Sequence, residues 1–206
     1  MIEQNSANDE KLEEKTVLLK KAISNFRRLF AEKSLQILIF GEGFPKNQEC
    51  WQGNYLNCNE CDNTQCKYAK IRLLLRDNII EQEDSVIFPE ELHLINPTLD
   101  EELFMKICHD EFDLIIMLPV SFGSIDEFSS YSRTDYLASK MRVFVEYEFH
   151  PLYTKEKARL IDSYLKFLTV YGHVYPYKDE EELVKIVQIL INSYRKVKLM
   201  ELLDNK

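Results

Sequence analysis

Five short apolar runs alternate with longer segments of helical spacing, and this alternation constrains the fold more than any other feature. The runs have the length of β-strands and occupy 35–40, 85–88, 112–118, 142–145 and 173–175. Strands that are separated by helices indicate βαβ units, which build a parallel sheet flanked by helices. The almost wholly apolar first run agrees, since both faces of a parallel strand are buried. The sequence therefore predicts an α/β, doubly wound fold with a mostly parallel five-stranded sheet.

We expect these elements to form a single domain over 1–206, because the chain has 206 residues and one domain is the default at that length. Apolar residues at helical spacing predict an N-terminal helix over 8–32 and a long C-terminal helix over 179–203. A polar, Cys-rich stretch at 46–66 interrupts the alternation after the first strand and is interpreted as a loop insertion.

The formal net charge of −9 limits the partners of the chain. It argues against general nucleic-acid binding and against binding to anionic membranes, because phosphate affinity comes mainly from clustered Lys and Arg. It does not exclude a small nucleotide held by backbone amides. The first 15 residues are polar and lack the apolar core of a signal peptide, and no apolar run has the length of a membrane span. We therefore expect a cytoplasmic protein without membrane contact.

The third strand leads through a turn into a helix, and this junction is the main candidate site. The apolar run breaks at Pro119, turns through Ser121 and Gly123, and continues as a helix from about Ser124. The first amides of a helix have no partners within the helix, and the positive end of the helix dipole favours anions. Ser121, Gly123 and Ser124 are therefore candidate ligand-binding residues for a phosphate or a ribose.

Glu127 is the candidate catalytic residue of this junction. We expect the helix N-terminus to favour its ionised form. An ionised carboxylate suits hydrogen bonds from ribose hydroxyls or the stabilisation of positive charge at an anomeric carbon, and it suits general-acid catalysis poorly. The alternative is architectural, because Ser124 and Glu127 have the spacing of a capping box in which Glu127 bonds back to the Ser124 amide. Tyr131 shares the helix face of Glu127 and is a further candidate ligand-binding residue.

Two other strand ends contribute candidates, because ligands of doubly wound sheets bind outside the carboxyl ends of the strands. Gly41 and Gly43 follow the first strand and are either ligand-lining residues or parts of a simple turn that needs glycine. They do not form a dinucleotide fingerprint, since Pro45 stands where the helix of that motif would begin. Glu90 follows the second strand and is either a ligand-binding residue or a solvated acid.

Four of the five cysteines form a close group with the spacing C-x7-C-x2-C-x4-C: Cys50, Cys58, Cys61 and Cys66. The odd total, without a secretion signal, argues against a disulfide framework. Four thiolates at such spacing can close a tetrahedral zinc site, so we predict structural zinc as the cofactor, with no organic cofactor besides a nucleotide ligand. An iron–sulfur cluster and four free thiols are the alternatives. Catalysis at this site is not expected, because four thiolates leave no open position.

The segment from Asp113 to Phe128 resembles a motif of the Rossmann-like superfamily that includes the LOG phosphoribohydrolases, the SLOG domains, the TIR domains and the nucleoside 2-deoxyribosyltransferases. In LOG proteins a central strand leads into a Pro-Gly-Gly-x-Gly-Thr-x-x-Glu turn. Four residues match its Pro, last Gly, Thr and Glu at the same spacing: Pro119, Gly123, Ser124 and Glu127. Val120 and Ser121 replace its two early glycines. The segment 86–90 also resembles members seen in bacterial defence and nucleotide-signalling systems.

This resemblance covers about 35–177 and implies a nucleotide ligand. In several branches it also implies cleavage of an N-glycosidic bond with Glu127 as the key residue. The expected function is therefore a nucleotide or NAD N-glycosidase of a bacterial nucleotide-signalling or antiviral defence type. The alternative is a non-catalytic, SLOG-like nucleotide sensor that forms a homo-oligomer or binds a partner protein. A structural protein with a zinc-stapled docking loop is a third possibility.

Overall fold

The computed structural model describes residues 34–44, 64–155 and 159–204. Five strands lie within these ranges: β1 (Gln36–Phe40), β2 (Ser85–Ile87), β3 (Leu114–Met117), β4 (Met141–Glu146) and β5 (Val174–Tyr177). Seven helices lie in the same ranges: α1 (Thr64–Ile80), α2 (Pro89–Ile95), α3 (Glu101–Glu111), α4 (Phe122–Tyr131), α5 (Asp135–Ala138), α6 (Arg159–Tyr171) and α7 (Glu180–Asp204). A 3₁₀ turn, Tyr147–Phe149, follows β4.

The strands form one parallel sheet in the order β2-β1-β3-β4-β5. Leu38 of β1 pairs with Ile87 on one side and with Ile115 on the other. The predicted α/β, doubly wound fold is confirmed, and all of its strand pairs are parallel. The strand order reverses direction between β1 and β3, which is the position where doubly wound sheets open a ligand-binding crevice at their carboxyl ends.

The central strands are buried on both faces, as their apolar sequences indicate. Every residue of β3 is buried, and so are the last four residues of β1. One face of the sheet shares a buried cluster with aromatic side chains of α3, α4 and α6; the cluster includes Leu38, Phe40, Ile115, Met117, Phe104, Phe128 and Phe167. This packing holds the helices at the sheet and so positions the carboxyl ends of the strands, where the loops of the candidate site begin.

Two aspartates fix the strand register at the opposite edge of the sheet. Asp84 is 5% exposed, and its Oδ1 accepts the N–H of Leu35 at 2.9 Å. The Asp113 Oδ2 accepts the N–H of Gln36 at 3.0 Å. These bonds tie the start of β1 to the residues that precede β2 and β3, so they help to keep Gly41 and the residues after it at the site.

Two helices differ from the sequence prediction. The chain was expected to leave the second strand in a loop, but Pro89 is the first residue of α2. Proline fits this position because the N–H that it lacks would have no partner in the helix. Glu91 closes the helix start, since its Oε2 accepts the N–H of Phe88 at 2.8 Å. The helix predicted to start at about Ser124 begins earlier, at Phe122, and a break separates it from α5.

The chain divides into two compact units, one of residues 35–190 and one of residues 1–34 together with 191–206. The sequence predicted a helix over 179–203, and α7 spans Glu180–Asp204. The predicted helix at 8–32 and most of the Cys-rich insertion, 46–63, lie outside the described residues. A single domain over 1–206 therefore stays a prediction. In the described part of the chain, no helix is long and apolar enough to cross a membrane.

Candidate functional site

A cavity of about 490 Å³ opens at the carboxyl ends of β1, β2 and β3. It lies within the unit of residues 35–190, at the reversal of the strand order. The loops after β1 and β3 and four helices contribute its lining: Gly41, Glu42, Gly43, Arg72, Pro89, Glu90, His93, Phe104, Ser121, Phe122, Gly123, Ser124, Glu127 and Tyr131. Its volume is within the usual range for small-ligand sites, roughly 300–1,000 Å³.

The cavity brings together every residue that the sequence proposed for catalysis or ligand binding: Gly41, Gly43, Glu90, Ser121, Gly123, Ser124, Glu127 and Tyr131. These residues come from three separate parts of the chain, and the parallel sheet unites them because it places the ends of β1, β2 and β3 at one edge. Their roles towards a ligand stay predictions.

The N-terminus of α4 is capped by Ser121. The Ser124 hydroxyl accepts the N–H groups of Val120 and Ser121, each at 3.0 Å. The Ser121 hydroxyl accepts the Ser124 N–H at 3.4 Å. The capping box is therefore formed by Ser121 and Ser124. The alternative box of Ser124 with Glu127 does not form, because the helix begins earlier than that spacing requires, and Glu127 lies in the second turn.

The first turn of α4 leaves two backbone donors at the cavity. Within the described residues, the N–H groups of Phe122 and Gly123 have no acceptor. A Cβ added to Gly123 would meet nothing within 4 Å, so a ligand can approach this backbone closely. Unpaired amides at a helix N-terminus bind anions such as phosphate. The Phe122 side chain is 95% exposed and lies at the mouth of the cavity.

Arg72 of α1 is a charged wall residue that the sequence did not single out, and it is 1% exposed. Its Nη1 donates to Glu90 Oε1 and its Nη2 donates to Glu90 Oε2, both at 2.7 Å. Nη1 also donates to the Glu42 carbonyl at 2.6 Å, and Nη2 donates to the Ile39 carbonyl at 3.3 Å. The Arg72 guanidinium thus joins α1 to the end of β1 and to α2. Its hydrogen bonds are charge-assisted and therefore stronger than neutral ones.

The Arg72 guanidinium is also held between two aromatic rings. Its Cζ lies 4.4 Å from the centroid of the Phe88 ring and 5.0 Å from that of the Phe44 ring. Gly41 allows this arrangement, since a Cβ there would lie 2.9 Å from Arg72 Cδ and 3.3 Å from Leu118 Cβ. The first glycine after β1 is therefore required by a close side-chain approach, and its φ angle is not in the left-handed region.

The two glutamates of the cavity have opposite electrostatic environments. Partial burial favours the neutral form of Glu90, but the hydrogen bonds and charge of Arg72 outweigh this effect and hold its pKa below the ordinary value. Burial raises the pKa of Glu127 to about 7, and the negative charge of Glu90 adds to the rise, although Arg72 opposes it. Carboxyl groups with divergent pKa values in one site are typical of acid–base chemistry.

Glu127 thus differs from the expectation that the helix N-terminus keeps it ionised and unsuited to proton donation. The influence of the helix dipole falls off within the first turn, and Glu127 lies beyond it. Its half-buried carboxylate has no hydrogen-bond partner among the described residues. Desolvation therefore dominates, and both protonation states are populated near neutral pH.

Aromatic side chains form the remaining wall. The Tyr131 ring lies 6.1 Å from that of Phe104, and the His93 ring stacks on Phe104 at 5.7 Å with an interplanar angle of 9°. Burial, reinforced by the charge of Glu127, raises the pKa of Tyr131, so its hydroxyl stays protonated and can donate to a ligand. Such a wall suits the flat face of a nucleobase.

Sequence reasoning missed several wall residues, and for two of them a signal existed. Arg72 interrupts the apolar run 71–75 of a helical segment, and a charge inside such a run indicates a buried ion pair. His93 was passed over because α2 was not predicted, although Pro89 followed by two glutamates is a typical helix start. Glu42, Phe104 and Phe122 carried no distinguishing pattern.

Of the four predicted zinc ligands, one lies in the described part of the chain. Cys66 lies in α1 and is 2% exposed, whereas Cys50, Cys58 and Cys61 lie outside the described residues. Among the side chains that the structure describes, no group of three or more His, Cys, Asp or Glu could hold a metal ion. The zinc site stays a prediction.

A second cavity, of about 180 Å³, lies at the ends of β3 and β4 and is mostly apolar. Its carboxylate, Glu146, accepts hydrogen bonds from the Tyr68 hydroxyl at 3.0 Å and from Lys67 Nζ at 3.3 Å. Burial and the neighbouring Glu146 raise the pKa of Tyr68 to about 12. None of the sequence-proposed ligand-binding residues lines this cavity.

Comparisons with known proteins add no functional class. No protein-family model matches the chain, and a search of curated proteins found no match. Interpretation of the site therefore rests on the fold and on the cavity itself.

The close approach at Gly41 predicts a loss of stability in G41A. Arg72 cannot move aside cheaply, because four hydrogen bonds and two rings hold it, so we expect a loss of about 1–3 kcal/mol in the free energy of unfolding. G123A is the matched control: its Cβ has open space, and alanine in a helix is no less stable than glycine. Urea denaturation measures both, and a G41A protein as stable as wild type would contradict the packing described.

The raised pKa of Glu127 predicts a pH-dependent difference between wild type and E127Q. The folded protein binds this proton more tightly than the unfolded chain, whose carboxyl has an ordinary value of 4.5. Wild-type stability is therefore lost relative to E127Q as the pH rises through about 7. Between pH 5 and pH 8 we expect the free energy of unfolding of E127Q to rise by on the order of 2 kcal/mol relative to that of wild type.

Urea denaturation at several pH values measures this difference. E102Q is the control, since Glu102 is exposed on α3 and outside the cavity, so it reports any effect of the change from glutamate to glutamine that is unrelated to the cavity. A constant difference between E127Q and wild type over the range would contradict the buried environment of Glu127.

Proposed function

We propose that the protein binds a nucleotide in the 490 Å³ cavity and cleaves its N-glycosidic bond, with NAD or a nucleoside phosphate as the substrate. The observation that carries the proposal is the half-buried Glu127 carboxylate, which lines the same cavity as Gly41, Gly43 and the N-terminus of α4. The resemblance to nucleotide-processing proteins supports the same interpretation. A cytoplasmic role in nucleotide signalling or defence is part of this proposal.

The cavity offers one type of contact for each part of a nucleotide. The free amides of Phe122 and Gly123 suit a phosphate. The carboxylates of Glu90 and Glu127 suit the ribose hydroxyls and the anomeric carbon, and the aromatic wall suits the base. This assignment supports a ligand with all three parts.

The reaction would proceed by departure of the base with the bonding electron pair, which leaves positive charge on the anomeric carbon and the ring oxygen. The ionised form of Glu127 would stabilise this cation or bond to it, as carboxylates do in glycoside hydrolysis. Water would then add to the anomeric carbon, and its proton would pass to a carboxylate or to the departing base. A pKa of about 7 lets Glu127 hold or release a proton at neutral pH.

A second candidate function is a nucleotide sensor without turnover. The amides of Val120 and Ser121 both donate to the Ser124 hydroxyl, so they are not available to a ligand. Val120 and Ser121 also replace the two early glycines of the motif that the turn resembles, and this departure from a catalytic motif favours a sensor. Such a sensor would act through a homo-oligomer or a partner protein, and structural zinc in the Cys-rich insertion is compatible with either function.

Removal of the Glu127 carboxylate tests the catalytic proposal. Wild type incubated with NAD and with a set of nucleoside monophosphates is expected to release free base, which chromatography measures. We expect E127Q to release base at least about 100-fold more slowly than wild type, because a group that stabilises the transition state is removed. E102Q, which removes an exposed carboxylate outside the cavity, is the control and should keep its rate within about threefold.

The outcomes separate the candidates. Nucleotide binding without base release, measured by calorimetry, would overturn catalysis and select the sensor. If no nucleotide binds and none raises the melting temperature, both functions are wrong. Equal rates for E127Q and wild type would remove Glu127 from the mechanism.

A further inference from the structure

Arg72 lines a cavity that we assign to a nucleotide, yet its donors are not available to a phosphate. Each terminal nitrogen already donates to one oxygen of Glu90 and to one backbone carbonyl. The remaining donor, Nε, is buried from solvent and has no partner within the described residues. A ligand in the cavity therefore cannot reach it.

Its contacts hold the Arg72 guanidinium in place, and the guanidinium in turn holds the Glu90 carboxylate. Arg72 is 1% exposed and lies against the rings of Phe44 and Phe88. A planar fork that binds both carboxylate oxygens at 2.7 Å fixes the plane of the carboxylate as well as its position. The Glu90 side chain keeps 43% of its surface exposed, so its remaining lone pairs stay accessible from the cavity.

Glu90 and Glu127 are also linked electrostatically. The charge of Glu90 raises the pKa of Glu127, and the charge of Arg72 lowers it. Asp126 contributes to the rise on the same helix, and Tyr131 lies one turn further on. The other titratable groups of the cavity are Glu42 and His93.

We propose that Arg72 is a positioning residue: it does not touch the ligand, and it holds Glu90 as a fixed, charged partner of Glu127 in the cavity. What Glu90 and Glu127 do together in turnover rests on the proposed function. The positioning of Glu90 by Arg72 is independent of that function. Glu90 then accepts hydrogen bonds from the sugar, and its constant charge adds to burial in favouring the protonated form of Glu127.

The same helix provides a matched control. Arg76 lies one turn after Arg72, and its Cζ is also 4.4 Å from the centroid of the Phe88 ring. It pairs with Glu91 at 2.9 Å, the residue next to Glu90, but neither Arg76 nor Glu91 lines the cavity. R76M therefore removes a comparable arginine without touching the proposed pair.

The test is a titration of the glutamate carboxyl carbons by NMR in the full, ligand-free chain, with resonances assigned through E90Q and E127Q. R72M is expected to raise the pKa of Glu90 by at least about one unit, because its bidentate cation is lost, whereas R76M leaves that pKa unchanged. E90Q is expected to lower the pKa of Glu127 by at least about half a unit, because a negative charge is removed and Arg72 is left unpaired.

Two results would overturn the proposal: a Glu90 pKa that is the same in R72M, R76M and wild type, or a Glu127 pKa that does not respond to E90Q. If R72M does not fold, R72K replaces it, since lysine keeps the charge but not the fork, and a smaller rise for Glu90 is expected. Because no ligand is present, these results are independent of base release, so failure of this proposal is distinct from failure of the proposed function.

Discussion

The bidentate pair of Arg72 and Glu90 is the interaction on which the candidate site depends. It connects three neighbouring segments, since Arg72 belongs to α1, Glu90 lies in the first turn of α2, and the carbonyl of Glu42 follows β1. Removing Glu90 is costly, because the charge of the buried Arg72 would remain desolvated without its partner. Gly41 is part of the same arrangement, since a larger residue would displace the arginine. The contacts of Arg72 therefore contribute both to the stability of the fold and to the geometry of the site.

This pair also explains why two glutamates of one cavity differ. Glu90 receives its own cation and stays charged, whereas Glu127 has burial and a neighbouring negative charge without a hydrogen bond of its own. Arg72 thereby keeps Glu90 as a fixed anion, whereas burial makes Glu127 a group that titrates near neutral pH. That difference is the chemical property of the site that most favours a reaction over simple binding.

The sequence predicted the sheet well because its signal is local: buried strands are short apolar runs, and helices separate them. The site location followed from the same pattern, since ligands bind at the carboxyl ends of parallel strands. Finer features depended on tertiary structure. Ser121 and Ser124 are both good caps, so spacing alone could not decide the start of α4. The pairing of Arg72 with Glu90 and the desolvation of Glu127 arise only when α1, α2 and α4 meet.

The most direct test of the account is a crystal structure of E127Q with a bound nucleoside monophosphate. The account predicts the phosphate at the amides of Phe122 and Gly123, and the anomeric carbon at about 3–3.5 Å from the side chain of residue 127, the distance of a reacting pair. A ligand bound away from this cavity, or a residue 127 side chain that turns back to the start of α4, would contradict it.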